Sequence, residues 1–176
     1  MKRPALRQCT TQNQRRSSIM ISACCSATEL APHLHLVPEG VKFNGPNWIE
    51  CMELYVMPSA GTLCEDWTLI LDNAPSHTCR LARGFYDASC RNAAGSPRVV
   101  MQPPHSPDLS PLDFCVFHLL KKDLPVSRTL ADLRVHAVTA WTRLRARENS
   151  GVEKLGQGFM RRLEACIADN GSHFEC

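Results

Sequence analysis

Two carboxylates in this sequence stand where carboxylates can do chemistry. Asp72 closes the apolar run "WTLIL" (67–71) and leads into Asn73, Ala74, Pro75, Ser76 and His77. Asp113 follows the proline-rich stretch "PPHSPDLSPL", with 40 residues between the two acids. Brought together, they would make a hard, all-oxygen site of the kind Mg2+ or Mn2+ prefers. Such sites serve phosphoryl transfer, one ion activating the attacking oxygen and another steadying the leaving one. Each residue alone also has a purely structural reading. Asp72 with Asn73 can form an Asx-turn, and Asp113 can complete a capping-box-like arrangement with Ser110. Asp108 can make local turn bonds in the proline loop, and His77 can cap or lie at the surface. The residue types leave both readings open.

Positioning the two acids is the task of the surrounding elements. "WTLIL" is apolar at consecutive positions, which predicts a strand covered on both faces. "SHTCRLARGFYDASC" (76–90) predicts a helix with Leu81, Phe85 and Ala88 inward, and "RVVMQ" (98–102) a further strand. Strand, helix, strand predicts a crossover and a parallel pair. Functional groups gather beyond the carboxyl ends of such strands, where Asp72 and the loop after Val99 and Val100 emerge. Four prolines within residues 103–111 exclude regular structure from 103–110. Ser110 then reads as an N-cap with Pro111 in the first turn, so Asp113 lies in the first turn of a helix. Lys121 and Lys122 fall near its C-terminal end, where the helix dipole favours cations. Upstream, "IMISACCSA" (19–27) and "HLHLVP" (33–38) predict an antiparallel hairpin turning at "TELAP", and "GPNWIECMELYVMPSA" a helix ending at Pro58. Downstream, residues 130–146 and 152–169 predict two more helices, with Gly171 past the second.

A length of 176 residues with 44% hydrophobic and 21% charged side chains suits one globular domain. Residues 1–18, polar and basic, read as a flexible lead. No apolar run approaches the roughly 18–20 residues that span a bilayer, and none behind the lead suits a secretory signal, so no membrane partner and an intracellular address are expected. Ten cysteines without a C-x-x-C pair predict reduced, mostly buried thiols rather than zinc ligands or a disulfide framework. The net charge of +3 conceals an alternation: +5 over residues 1–18, −5 over 19–120, +6 over 121–162 and −3 over 163–176. An acidic centre between basic flanks suits a protein that gathers metal ions centrally and touches phosphates at its edges. Solvated helix faces produce the same count.

The pairing of "LILDNAPSH" with "PPHSPDLSPLDF" and "LKKDL" resembles the two most recognisable blocks of the mariner-like transposases, in the Tc/mariner superfamily of DDE/D enzymes. Those blocks run as an aspartate in a D-N-x-x-x-H setting, then P-P-x-S-P-D-L-x-P with an acidic residue shortly after. The similarity extends over "HLHLVPEGVKFNGPNWIECMELYVMP" and "GFMRRLEACIADNGSHFE", and so over residues 19–176. The resemblance implies an α/β, ribonuclease-H-like mixed sheet flanked by helices, with a helical C-terminal part. It implies cut-and-paste DNA transposition, in which water and then the freed 3′-hydroxyl attack DNA phosphodiesters. Two divalent ions, Mg2+ or Mn2+, would be held by three carboxylates. Asp72 matches the second carboxylate and Asp113 the third. Asn73, His77, Pro104, Ser106, Pro107 and Asp108 match the supporting loops, and Lys121 and Lys122 are candidate DNA contacts. Transposon-end DNA, a second copy or an intact transposase are the implied partners, in the nucleus.

The match departs from the family at one corner. Residues 1–65 contain no aspartate, and their only acids are Glu29, Glu39, Glu50, Glu53 and Glu65. None falls on the strand that carries the family's first carboxylate. "IMISACCSA" matches the family's second strand, so a partial domain (19–176) lacking its first strand is expected, without the paired helix-turn-helix region that reads transposon ends. The expectation is an inactive, nucleic-acid-binding derivative of a transposase. The alternatives are a co-opted non-enzymatic module that binds DNA or an intact transposase, and a free-standing ribonuclease-H-like nuclease.

Overall fold

The computed structural model describes residues 18–148 and 150–169. Residues 1–17 of the basic lead and Gly171 lie outside them. The hairpin forms as expected but is brief: β1 (Ile21–Ser22) pairs antiparallel with β2 (His35–Leu36), Ile21 opposite Leu36. Its loop is tied by the Ser26 hydroxyl, which accepts from the N–H groups of Thr28 and Glu29 at 3.3 and 3.0 Å.

The next helix runs through the proline at which it was expected to stop. α1 (Gly45–Cys51) starts at Asn44, whose side chain accepts from the Asn47 N–H, and continues through a π-helical turn (Met52–Val56) into α2 (Met57–Leu63). Pro58 offers no N–H and its ring crowds the preceding turn. The wider turn, closed by the Met57 N–H on the Met52 carbonyl, is a means of absorbing such a residue without breaking the helix.

β3 (Leu69–Leu71) and β4 (Val99–Met101) form the expected parallel pair, Ile70 opposite Val100. The expectation of cover on both faces fails. Leu71 is buried, but Ile70 and Val100 are each 50% exposed and share a face. Between the strands, α3 (Pro75–Thr78) and α4 (Arg80–Ser89) replace the single expected helix, because Cys79 is extended (ψ 157°). Its Sγ caps α4 by accepting from the Ala82 N–H at 3.4 Å. The break resets the helical phase: Ala82, Tyr86 and Cys90 turn inward, Leu81 is 54% exposed, and Ala88 is exposed.

After the proline loop come a second π-helical turn (Leu112–Val116), α5 (Phe117–Lys122), α6 (Leu130–Ala146) and α7 (Leu155–Ala168). α6 occupies its predicted span and opens on a capping box between Thr129 and Asp132. α7 sits close to the hairpin loop: the Gly156 N–H reaches the Ala27 carbonyl at 2.7 Å, and a Cβ there would stand 2.7 Å from that of Ala27.

Two apolar cores result. One joins Leu30 of the hairpin loop to Val116, Leu120, Ala140, Trp141, Leu144, Val152 and Leu155. The other joins Trp48, Cys51, Met52 and Val56 to Leu71, Ala82, Tyr86 and Cys90. Among the described residues the strands form two separate two-stranded sheets, β1–β2 and β3–β4. α1 links the halves, Cys51 meeting the Ser22 side chain while sharing a core with Leu71. No helix among the described residues is long and apolar enough to cross a membrane.

Candidate functional site

Asp72 stands immediately past β3, exposed, with one carboxylate oxygen held from within. Its Oδ1 accepts from the Ala74 N–H at 3.2 Å, the Asx-type contact anticipated from sequence, and lies 2.6 Å from His77 Nδ1. The same ring nitrogen is 3.3 Å from the Asp72 carbonyl oxygen. α3 is the reason His77 can turn back: it starts at Pro75, and the His77 N–H closes its turn on the Ala74 carbonyl at 2.8 Å.

His77 is itself held by a layer that the sequence did not reveal. Its side chain is only 13% exposed and its ring lies against the Trp48 indole, centroids 4.0 Å apart. Trp48 Nε1 donates to the Tyr86 hydroxyl at 2.5 Å, and that hydroxyl donates to the His77 carbonyl at 3.1 Å. Burial pushes the Tyr86 phenol up to about 12, so it stays a neutral donor. Only the meeting of Trp48 and Tyr86 over His77 makes them supports.

The proline loop is tied to the same strand ends. The Gln102 N–H donates to the Leu71 carbonyl at 2.7 Å, the Asn73 side chain donates to the Gln102 carbonyl at 2.5 Å, and Gln102 Nε2 donates to the Ser106 carbonyl. Gln102 is 9% exposed and had no place among the expected site residues. The Ser106 hydroxyl donates to the Pro104 carbonyl at 3.1 Å, and His105 between them takes a positive φ of 55°, uncommon for a side chain with a Cβ. Pro107 and Asp108 lie in a 3-10 turn (Pro107–Leu109). Asp113 is exposed in the first turn of the helix that follows, its N–H on the Ser110 carbonyl at 3.0 Å.

Asp72, Asn73, His77 and Ser106 are thus joined through hydrogen bonds at the carboxyl ends of β3 and β4, and the loop they brace leads to Asp113. Exposed carboxylate oxygens suit a hard divalent cation, which keeps several waters and needs only one or two carboxylates. Among the described residues no group of three or more His, Cys, Asp or Glu could hold a metal ion. The eight described cysteines are free, and burial raises the Cys24 and Cys25 thiols to about 11 and about 12. Their thiols are therefore protonated at neutral pH. The expectation of mostly buried thiols holds fully only for Cys51 and Cys90; Cys64 is exposed.

The basic segment 121–162 divides by use. Arg134 donates to the carbonyls of Leu36 and Val37, Arg145 to that of Leu30, Arg147 pairs with Asp123 at 2.6 Å, and Arg162 lies over the Phe114 ring. Lys121, Lys122, Arg128, Arg143, Lys154 and Arg161 are exposed.

A family model described as DDE superfamily endonuclease matches residues 3–134. Among solved structures, a Mos1 transposase paired-end complex with left transposon end gives a TM-score of 0.72 at 18% identity, covering 99% of this chain and 51% of that one. The catalytic domain of Mos1 mariner transposase gives 0.63 at 19%, covering 89% and 76%. A Mos1 catalytic domain with raltegravir and Mg gives 0.64 at 20%, covering 89% and 77%. The chain therefore spans about half the length of the transposase in the paired-end complex. No curated protein matches the sequence. The ribonuclease-H-like fold is that of the mariner catalytic domain, and with the family model spanning three quarters of its length, the chain belongs to the DDE superfamily endonucleases.

Proposed function

We propose that this chain supplies part of the catalytic centre for DNA phosphodiester cleavage and strand transfer of the cut-and-paste type. Asp72 and Asp113 are its cation-binding carboxylates. The observation that carries this reading is the hydrogen-bonded tie from Asn73 through Gln102 to Ser106. It braces the two motif blocks against each other at the carboxyl end of a parallel pair, where α/β sheets gather functional groups. The Mos1 relatives, solved with transposon-end DNA, with Mg and with Mn, support DNA as substrate and a divalent ion as cofactor.

When bound, such an ion polarises a phosphate oxygen and offsets the charge that builds as the phosphodiester is attacked. The residues of this chain do the rest. Asp72 presents an oxygen from a rigid strand end, Asp113 a second from a helix start, and the proline loop holds the two blocks in register. With two such carboxylates in place of the family's three, the chain binds cation and DNA but does not complete strand transfer by itself. This reading includes association with an intact transposase and action in the nucleus.

The test uses the purified chain, Mn2+ followed by electron paramagnetic resonance, and supercoiled plasmid DNA. Mn2+ affinity is expected to fall at least tenfold in the Asp72→Asn, Asp113→Asn double variant, with no Mg2+-dependent nicking by the parent. Unchanged Mn2+ affinity would overturn the site assignment. Nicking that disappears in Asp72→Ala would overturn the claim of inactivity.

Lys121, Lys122, Arg128, Arg143, Lys154 and Arg161, all exposed, favour a second reading, a non-enzymatic DNA-binding module. Phosphate contact of this kind is sequence-independent and weakens steeply with salt. DNA retention that survives loss of both carboxylates and vanishes at high salt would select it. No retention at low salt would exclude it.

A further inference from the structure

The geometry points to His77 as a positioning residue for the Asp72 carboxylate: its Nδ1, hydrogen-bonded to the Asp72 main-chain carbonyl, stands 2.6 Å from Oδ1 and holds the carboxylate so that Oδ2 is left to meet a divalent cation. This assignment rests on the reading of Asp72 as a cation ligand given above.

Three observations converge on it. His77 Nδ1 faces two oxygens of one residue, Oδ1 at 2.6 Å and the main-chain carbonyl at 3.3 Å. Both are acceptors, so this nitrogen must carry the hydrogen whatever the state of the other. Oδ1 also accepts from the Ala74 N–H at 3.2 Å; that bond and the close imidazole contact both engage the same oxygen of an exposed carboxylate. The ring, finally, is itself immobilised by Trp48 against its face and by the Tyr86 hydroxyl on its carbonyl. An exposed aspartate alone would sample several rotamers, and ordering it for a cation would cost entropy at each binding event. A close contact from a largely covered, stacked imidazole removes that cost beforehand. Partners of this kind, one step out from the ion, typically change metal affinity by about 10- to 100-fold.

Position-matched variants separate this role from simple packing. An asparagine side chain places an amide nitrogen near the position of Nδ1, and a glutamine near that of Nε2. Mn2+ affinity of the full chain, read by electron paramagnetic resonance, is expected to fall about 10- to 100-fold in His77→Ala and His77→Gln. His77→Asn should recover most of the loss. The metal-free protein supplies an independent readout: a 1H–15N spectrum of the imidazole should show a protonated, hydrogen-bonded Nδ1 whose signal shifts in Asp72→Asn. Parent-like Mn2+ affinity in His77→Ala would overturn the assignment, as would equal losses in the asparagine and glutamine variants when both unfold at the parent's urea midpoint. If the parent binds no Mn2+ while the Nδ1 signal still responds to Asp72→Asn, the cation reading of Asp72 has failed and the contact is structural, which overturns the positioning role as well. If Mn2+ binds through Asp72 but the Nδ1 signal ignores Asp72→Asn, only the His77 assignment falls.

Discussion

The hairpin and the parallel pair are both two-stranded sheets, yet the molecule treats their exposed parts in opposite ways. Along the hairpin, α6 lays three donors against the backbone: Arg134 on the carbonyls of Leu36 and Val37, Trp141 Nε1 on Ala31 at 3.0 Å, and Arg145 on Leu30. That chain segment is sealed by a helix. At the parallel pair, Leu69 and Leu71 turn their backbone groups to β4, the Leu69 N–H meeting the Arg98 carbonyl and the Leu71 carbonyl the Gln102 N–H. By strand alternation the N–H and C=O of Ile70 face the other way, and its side chain shares a half-exposed face with Val100. A short edge of this kind is a place for pairing or cover. The lesson is a division of labour among the described residues: the hairpin half is closed by α6, while the half that carries Asp72 presents a half-exposed face.

The sharpest way to break that comparison is through Trp141, which is 1% exposed and bonded to the hairpin. Trp141→Ala should destabilise the chain by about 3–5 kcal/mol, read as a lower urea midpoint. A loss under about 1 kcal/mol would mean the hairpin half is not the closed one.

A middle-sized effect is expected in the other half. Tyr86→Phe removes the acceptor of the buried Trp48 N–H and the donor to the His77 carbonyl, costing about 1–3 kcal/mol. Hydrogen exchange should quicken in α3 and α4 and stay unchanged in α6. Equal quickening in α6 would show the two cores to be one cooperative unit.

Smallest of all should be the double variant Ile70→Thr, Val100→Thr. Both side chains are half-exposed on a common face and threonine keeps the β-branch, so the change should stay within about 0.5 kcal/mol per site. A loss of several kcal/mol would show that face to be covered in solution.

Much of this was legible in the sequence, for local reasons. α6 fills the span expected of it, its start fixed by a capping box of neighbouring residues, and Asp113 lies in a first turn because Ser110 and Pro111 precede it. The errors share a different cause. The helix through Pro58 survives by a π-helical turn, a rearrangement that hydrophobic spacing does not signal. Of the residues expected inward on α4, Phe85 packs against the core while Leu81 and Ala88 are exposed, because Cys79 breaks the helix one residue before it begins. The strand "WTLIL" was read as doubly covered from its composition, yet composition says which residues would tolerate burial and not whether another element arrives to bury them. The charge count of the basic segment likewise does not show how its cations are used: four of its ten basic residues, Arg134, Arg145, Arg147 and Arg162, serve the fold.

By itself, the sequence determined what depends on neighbours in the chain: the strand that ends in Asp72, the Asx contact to Ala74, the helix start at Asp113, and the paired motif blocks that mark the family. The tertiary structure decided what depends on residues far apart. It set Trp48 and Tyr86 behind His77, made Gln102 the tie between the blocks, and closed one sheet while leaving the other open. The physical reason is that a hydrogen bond between residues 29 or 38 positions apart leaves no periodicity in the chain. It forms only where packing has already brought its two ends together.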